Sequence, residues 1–129
     1  MKKKIILLVL WRRVISDLLI REIRKRDDLD AIGIYALSEA RSNAIALQPA
    51  VALVEIPEKH GKPALDALKV CGEIKEVSPG SKIVLLCPEV DDESVQACID
   101  AIRQAEIDDF LFYDCTTDYL VAKIESLCP

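Results

Sequence analysis

At 129 residues the chain has the length of one domain, expected over residues 1–129, and a domain of this size buries enough of its surface to fold without covalent staples. Hydrophobic residues at 51% and charged residues at 30% exclude intrinsic disorder and collagen-like repeats. The net charge is −5, and the longest apolar run, Ile5 to Trp11, is far short of the ~20 residues of a bilayer crossing and lacks a secretory cleavage site, so a membrane role is excluded and a cytoplasmic location is expected.

The hydrophobic period alternates along the chain. Lys4 to Leu10 is a continuous apolar run, the mark of a strand covered on both faces. Arg12 to Arg26 carries Val14, Ile15, Leu18, Leu19 and Ile23 at helical spacing. Ala31 to Ala36 reads as a second strand, and Ser38, whose hydroxyl can accept from a free backbone N–H, as the cap of a helix reaching Leu47. Val51 to Glu55 is a third strand, closed by Pro57. Lys62 to Val77 is a helix with Pro63 in its first turn.

Ser78-Pro79-Gly80 is a turn before the fourth strand, Lys82 to Cys87. Asp91, Asp92 and Glu93 open a helix to Ala105, their charges favourable at its N-terminus. Asp109 to Tyr113 is a fifth strand, and Thr116 or Thr117 caps a last helix ending near Leu127. Five strands alternating with five helices imply an α/β three-layer sandwich with a parallel sheet, and the flavodoxin-like (βα)5 order 2-1-3-4-5 is expected. Such sheets bind ligands beyond the carboxyl ends of their strands, which directs attention to Leu10-Trp11, Glu55, Cys87 and Tyr113.

Charge is divided unevenly. Up to Arg26 there are nine basic residues against Asp17 and Glu22, a net of +7, so the remainder carries −12. An acidic domain whose few aromatics are not interleaved with its basic residues disfavours nucleic acid as a ligand. Cys71, Cys87, Cys98, Cys115 and Cys128 form no CxxC pair, and His60 is the one histidine, so no metal or thioredoxin-type motif is expected; His60 reads as a solvated loop residue.

Across its whole length the chain resembles the receiver (CheY-like) domain of two-component response regulators. PAVALVE, ending at Glu55, is similar to the family's PDLVLLD, which ends on the phosphoaccepting aspartate, and Pro57 and Gly61 follow in a loop two residues shorter. SPGSKIVLLC places Cys87 at the family's switch serine or threonine, and DDFLFYD places Phe110 at the switch aromatic and Tyr113 at the lysine. The acidic pair that holds magnesium after strand one is represented by Leu10 and Trp11, followed by Arg12 and Arg13. Two of three metal carboxylates and the lysine are replaced, and the acceptor position carries a longer side chain.

The resemblance therefore implies a degenerate pseudo-receiver: a two-component (phosphorelay) type module, not an enzyme, without metal or cofactor, not phosphorylated by the Mg-dependent route and acting through protein–protein interaction. Its partner would be a kinase, an output protein or a second copy, giving a homodimer, on the helix 4–strand 5–helix 5 face, where Asp91, Asp92, Glu93, Asp108, Asp109 and Asp118 could steer a basic surface. Glu55 is expected either to pair with Arg12 or Arg13 as a permanent phosphomimic or to stand as a partly exposed carboxylate. Trp11 is a partner anchor or a plug for the emptied pocket; Cys87 is an inert thiol or a redox switch; Tyr113 bonds locally or covers the pocket. The alternative class is a flavodoxin-like cofactor protein or a phosphocysteine carrier, but LWRRV lacks the Ser, Thr and Gly of a phosphate-cradling first loop and Cys87 follows strand four.

Overall fold

The computed structural model describes residues 2–57, 63–88 and 92–129; His60, Gly61, Lys62 and Asp91 lie outside them. The elements run β1 (Lys4–Val9), α1 (Arg13–Arg24), β2 (Leu29–Ile34), a 3₁₀ turn (Leu37–Glu39), α2 (Ala40–Leu47), β3 (Val51–Glu55), α3 (Pro63–Val77), β4 (Lys82–Cys87), α4 (Asp92–Arg103), β5 (Asp109–Phe112) and α5 (Thr117–Leu127). The sheet is parallel in the order β2-β1-β3-β4-β5, as the alternation of elements predicts for a flavodoxin-like fold.

Strand alternation sends side chains to two separate cores. Leu7, Val9, Ala52, Val54, Ile83 and Leu85 pack with α2, α3 and α4 on one face. Ile6, Leu8, Leu10, Leu53, Val84, Leu86 and Leu111 pack with α1 and α5 on the other. Burial on both sides explains why β3 and β4 read as unbroken apolar runs rather than alternating ones.

Several elements end one or two residues before the sequence reading places them (β1 at Val9, α1 at Arg24, β2 at Ile34, α4 at Arg103, β5 at Phe112), and two starts differ for a physical reason. β2 begins at Leu29, because Leu29 pairs with Lys4 and the Asp30 carboxylate is held by Arg24 Nε at 2.8 Å and Ala31 N at 2.8 Å; at this sheet edge a charged residue fits the strand. Ser38 caps nothing: it lies inside the 3₁₀ turn, and α2 follows Glu39, whose side chain makes no capping bond. At α5 the sequence left two threonines open, and Thr116 is the cap, its Oγ1 accepting from Tyr119 N at 3.1 Å.

α1 lies close on β2 because of Gly33. A Cβ there would meet Ser16 Oγ at 2.7 Å and Ile20 Cδ1 at 3.2 Å, so any side chain would lift the helix off the sheet. No helix among the described residues is long and apolar enough to cross a membrane.

Candidate functional site at the rim of β1 and β3

Central strands β1 and β3 are neighbours, with Val9 opposite Val54, so the residues just beyond them meet at the carboxyl edge of the sheet. Among the described residues, Glu55, 1% exposed, is the one fully buried charged side chain. Its Oε1 accepts from Trp11 N at 3.1 Å and Arg12 N at 3.3 Å, and its Oε2 accepts from Arg12 Nε at 2.5 Å. Each carboxylate oxygen is thus engaged, and the buried charge has both a countercharge and hydrogen bonds.

The arrangement also serves α1. That helix has no acidic residue in its first turn, and its N-cap residue, Arg12, makes no side-chain capping bond. Glu55 reaches across from β3 and puts a negative charge beside the positive end of the helix dipole. Burial pushes the Glu55 carboxyl above the usual carboxylate range, and the Arg12 side chain, then the two amides, pull it back in part.

Arg12 is held from its other side by Tyr113. Its guanidinium carbon lies 4.3 Å from the centre of the Tyr113 ring, a cation–π contact, and the Tyr113 hydroxyl donates to the Ile56 carbonyl. Arg12 Nη2 is buried and finds no hydrogen-bond partner among the described residues. Arg13 goes elsewhere: its guanidinium carbon sits 4.3 Å over the ring of Tyr35. The structure therefore brings Arg12, Glu55 and Tyr113 together and leaves Arg13 out.

Leu10 is wholly buried, whereas Trp11 is 42% exposed and forms one wall of a 180 Å³ cavity with Tyr35, Leu37, Glu55 and Pro57. The indole neither fills the pocket nor stands fully free of it. Tyr35 escaped the sequence reading, which inspected the ends of strands one, three, four and five; the end of strand two belongs to the same rim and was the signal. Among the described residues, no three His, Cys, Asp or Glu side chains are grouped so as to hold a metal ion.

Cys87 is closed to solvent, its thiol 3.5 Å from the Pro88 carbonyl oxygen and in hydrogen-bonding contact with Cys98. Phe110 packs its ring edge-on against Phe112, with centroids 5.7 Å apart, over the α4 side of the sheet. Of the acidic residues assigned to the α4–β5–α5 face, Asp108 and Asp109 are already paired, with Lys75 at 3.1 Å and Lys123 at 2.8 Å; Asp92, Glu93 and Asp118 are exposed.

No model of a protein family matches the chain, and neither does any curated protein. Solved structures do. A response regulator from Thermotoga maritima superposes with a TM-score of 0.75 at 18% identity, covering 97% of this chain and 97% of that one. A CheY-like response regulator receiver domain protein from Methanospirillum hungatei gives 0.75 at 17%, covering 98% and 94%. A structure described as an adenylate cyclase from Rhodopirellula baltica gives 0.82 at 18%, covering 97% and 87%. At such identities the likeness establishes the fold, which is that of CheY-like receivers.

Proposed function

We propose that this chain is a receiver-like signal-transduction module of the two-component type that has exchanged phosphoryl chemistry for a permanent internal ion pair. The observation that carries the reading is the closure of Glu55 by Arg12 and the two backbone amides at the position where the receiver resemblance puts the phosphoacceptor. Arg12 supplies the positive charge that a metal and a lysine would otherwise direct at a phosphoryl group, and it does so from inside the protein. Leu10 and Trp11 offer no oxygen ligands for magnesium, and Tyr113 turns its ring to the guanidinium and its hydroxyl to the backbone.

On this reading the module is not an enzyme and needs no cofactor. It acts in the cytoplasm by presenting one fixed conformation to a protein partner on the α4–β5–α5 face. A phosphocysteine role fits poorly, since Cys87 has no exposed surface from which to attack a phosphodonor.

The test is incubation with a small-molecule phosphodonor and Mg²⁺, read by intact mass, for the natural chain and for Glu55→Asp. No phosphoryl adduct is expected in either, because the metal ligands are missing as well as the acceptor aspartate. An adduct on the natural chain overturns the proposal.

A further inference from the structure

Exposed charge of opposite sign is segregated along the chain. Residues 2–26 carry nine basic and two acidic side chains, a net of +7. Residues 92–118 carry eight acidic side chains and Arg103, a net of −7. Intramolecular pairs use up part of each set: Arg24 with Asp30, Lys25 with Glu22 and Arg26 with Glu125 on one side, Asp108 and Asp109 on the other.

What is left has a definite shape. Along α1, Val14, Leu18 and Arg21 fall three or four residues apart and form one exposed line, apolar at its start and basic at its end. Val14 is 72% exposed, far more than a valine on an amphipathic helix needs, and Trp11 stands just ahead of it. Opposite in sign, Asp92 and Glu93 in the first turn of α4, Asp114 just past β5 and Asp118 in the first turn of α5 are all exposed. Helices of a parallel sheet begin where the strands end, so these carboxylates gather at one corner of the fold, beside the half-exposed ring of Tyr119.

From this matching we infer that the α1 line of one copy docks on the acidic α4–β5–α5 corner of a second copy. The inference deepens the protein-interaction reading of that face, and rests on it, by naming the occupant. Each surface pairs an apolar element with charge of one sign, so each complements the other and repels itself. A contact between unlike patches is heterologous and leaves one patch of each kind open at the ends, which produces short open chains rather than a closed dimer. The attraction is between exposed charges and must weaken with salt.

The test is sedimentation velocity over a micromolar-to-millimolar concentration series, repeated as salt rises from ~0.01 M to ~0.15 M and the Debye length falls from about 30 Å to about 8 Å. The natural chain should form oligomers larger than a dimer at low salt and lose them at the higher. Val14→Ser with Arg21→Gln removes one patch; Glu93→Gln with Asp118→Asn removes the other, neither creating charge of the opposite sign; circular dichroism confirms that each variant is folded. Each variant alone should be monomeric at low salt, and an equimolar mixture should give a dimer and nothing larger, because one intact patch of each kind remains.

Dimerisation of either variant alone overturns the inference in favour of a contact between like patches. A natural chain that stays monomeric at low salt overturns it outright. The two readings fail separately: a phosphoryl adduct with assembly intact removes the closed site, whereas no adduct and no assembly removes the self-docking.

Discussion

A carboxylate taken out of water must be compensated where it sits, and Glu55 has three donors to do it. Arg12 is the donor that carries charge. Replacing it by methionine keeps much of the stem and leaves the carboxylate without its countercharge. Breaking a fully buried pair costs about 3–5 kcal/mol; because the Arg12 side chain is 26% exposed, ~2 kcal/mol is expected for Arg12→Met. The pH dependence has a definite sign. A carboxyl raised above its ordinary value of 4.5 binds a proton more tightly in the folded state, so its contribution to stability falls as pH rises from 4.5 through the raised value. Loss of Arg12 raises that value further. Thermal melts should therefore show a larger deficit for Arg12→Met at pH 8 than at pH 5, and an equal deficit at both would mean that the pair contributes packing rather than charge.

Between elements, the tightest tolerance is where α1 meets β2. Ser16 Oγ is buried without a hydrogen-bond partner among the described residues, and it is also the atom that a Cβ at Gly33 would strike first, at 2.7 Å. Gly33→Ala should cost about 1–3 kcal/mol, the range for overpacking. Ser16→Ala removes an unsatisfied hydroxyl and should leave stability unchanged or raise it slightly. Combined, the two changes should cost less than their sum, because the second opens the space that the first needs; chemical denaturation of all four forms measures the coupling. Strict additivity would show that Ile20, at 3.2 Å, sets the spacing instead.

At the scale of the whole molecule, the two cores divide the thiols. Cys71, Cys87 and Cys98 lie in the core under α3 and α4 with no exposed surface, while Cys115 and Cys128 are half-buried at the edge of the other. Burial pushes the Cys71 thiol up to about 12, and Cys98 is raised by its hydrogen bond to Cys87 and by burial. A thiol reagent added to the folded protein should therefore modify Cys115 and Cys128 and reach the other three only on unfolding. Mass spectrometry of the labelled chain distinguishes this from uniform labelling, which would indicate that the α3–α4 side opens readily.

The pattern of residues was sufficient for the architecture and for part of the site. β3 and β4 were legible to the residue because continuous apolar runs are bounded by Pro57 and by Ser78-Pro79-Gly80, and both signals are local. β2 and the start of α2 were not, since strand pairing at an edge and entry through a 3₁₀ turn depend on neighbours distant in the chain. The meeting of Glu55 with an arginine after strand one follows from topology once β1 and β3 are adjacent. Which arginine is a matter of backbone geometry: Arg12 is still extended, at φ −86° and ψ 102°, and reaches the carboxylate, whereas Arg13 has entered the helix and turns to Tyr35. Composition and periodicity thus determined the sheet, its order and the loops that share its rim, because burial leaves a regular mark on sequence. Only the tertiary structure decided that Glu55 is sealed by Arg12 and the Trp11 and Arg12 amides, with Tyr113 against the guanidinium, because those contacts join residues 43 to 101 positions apart, and a contact over that separation leaves no periodic trace.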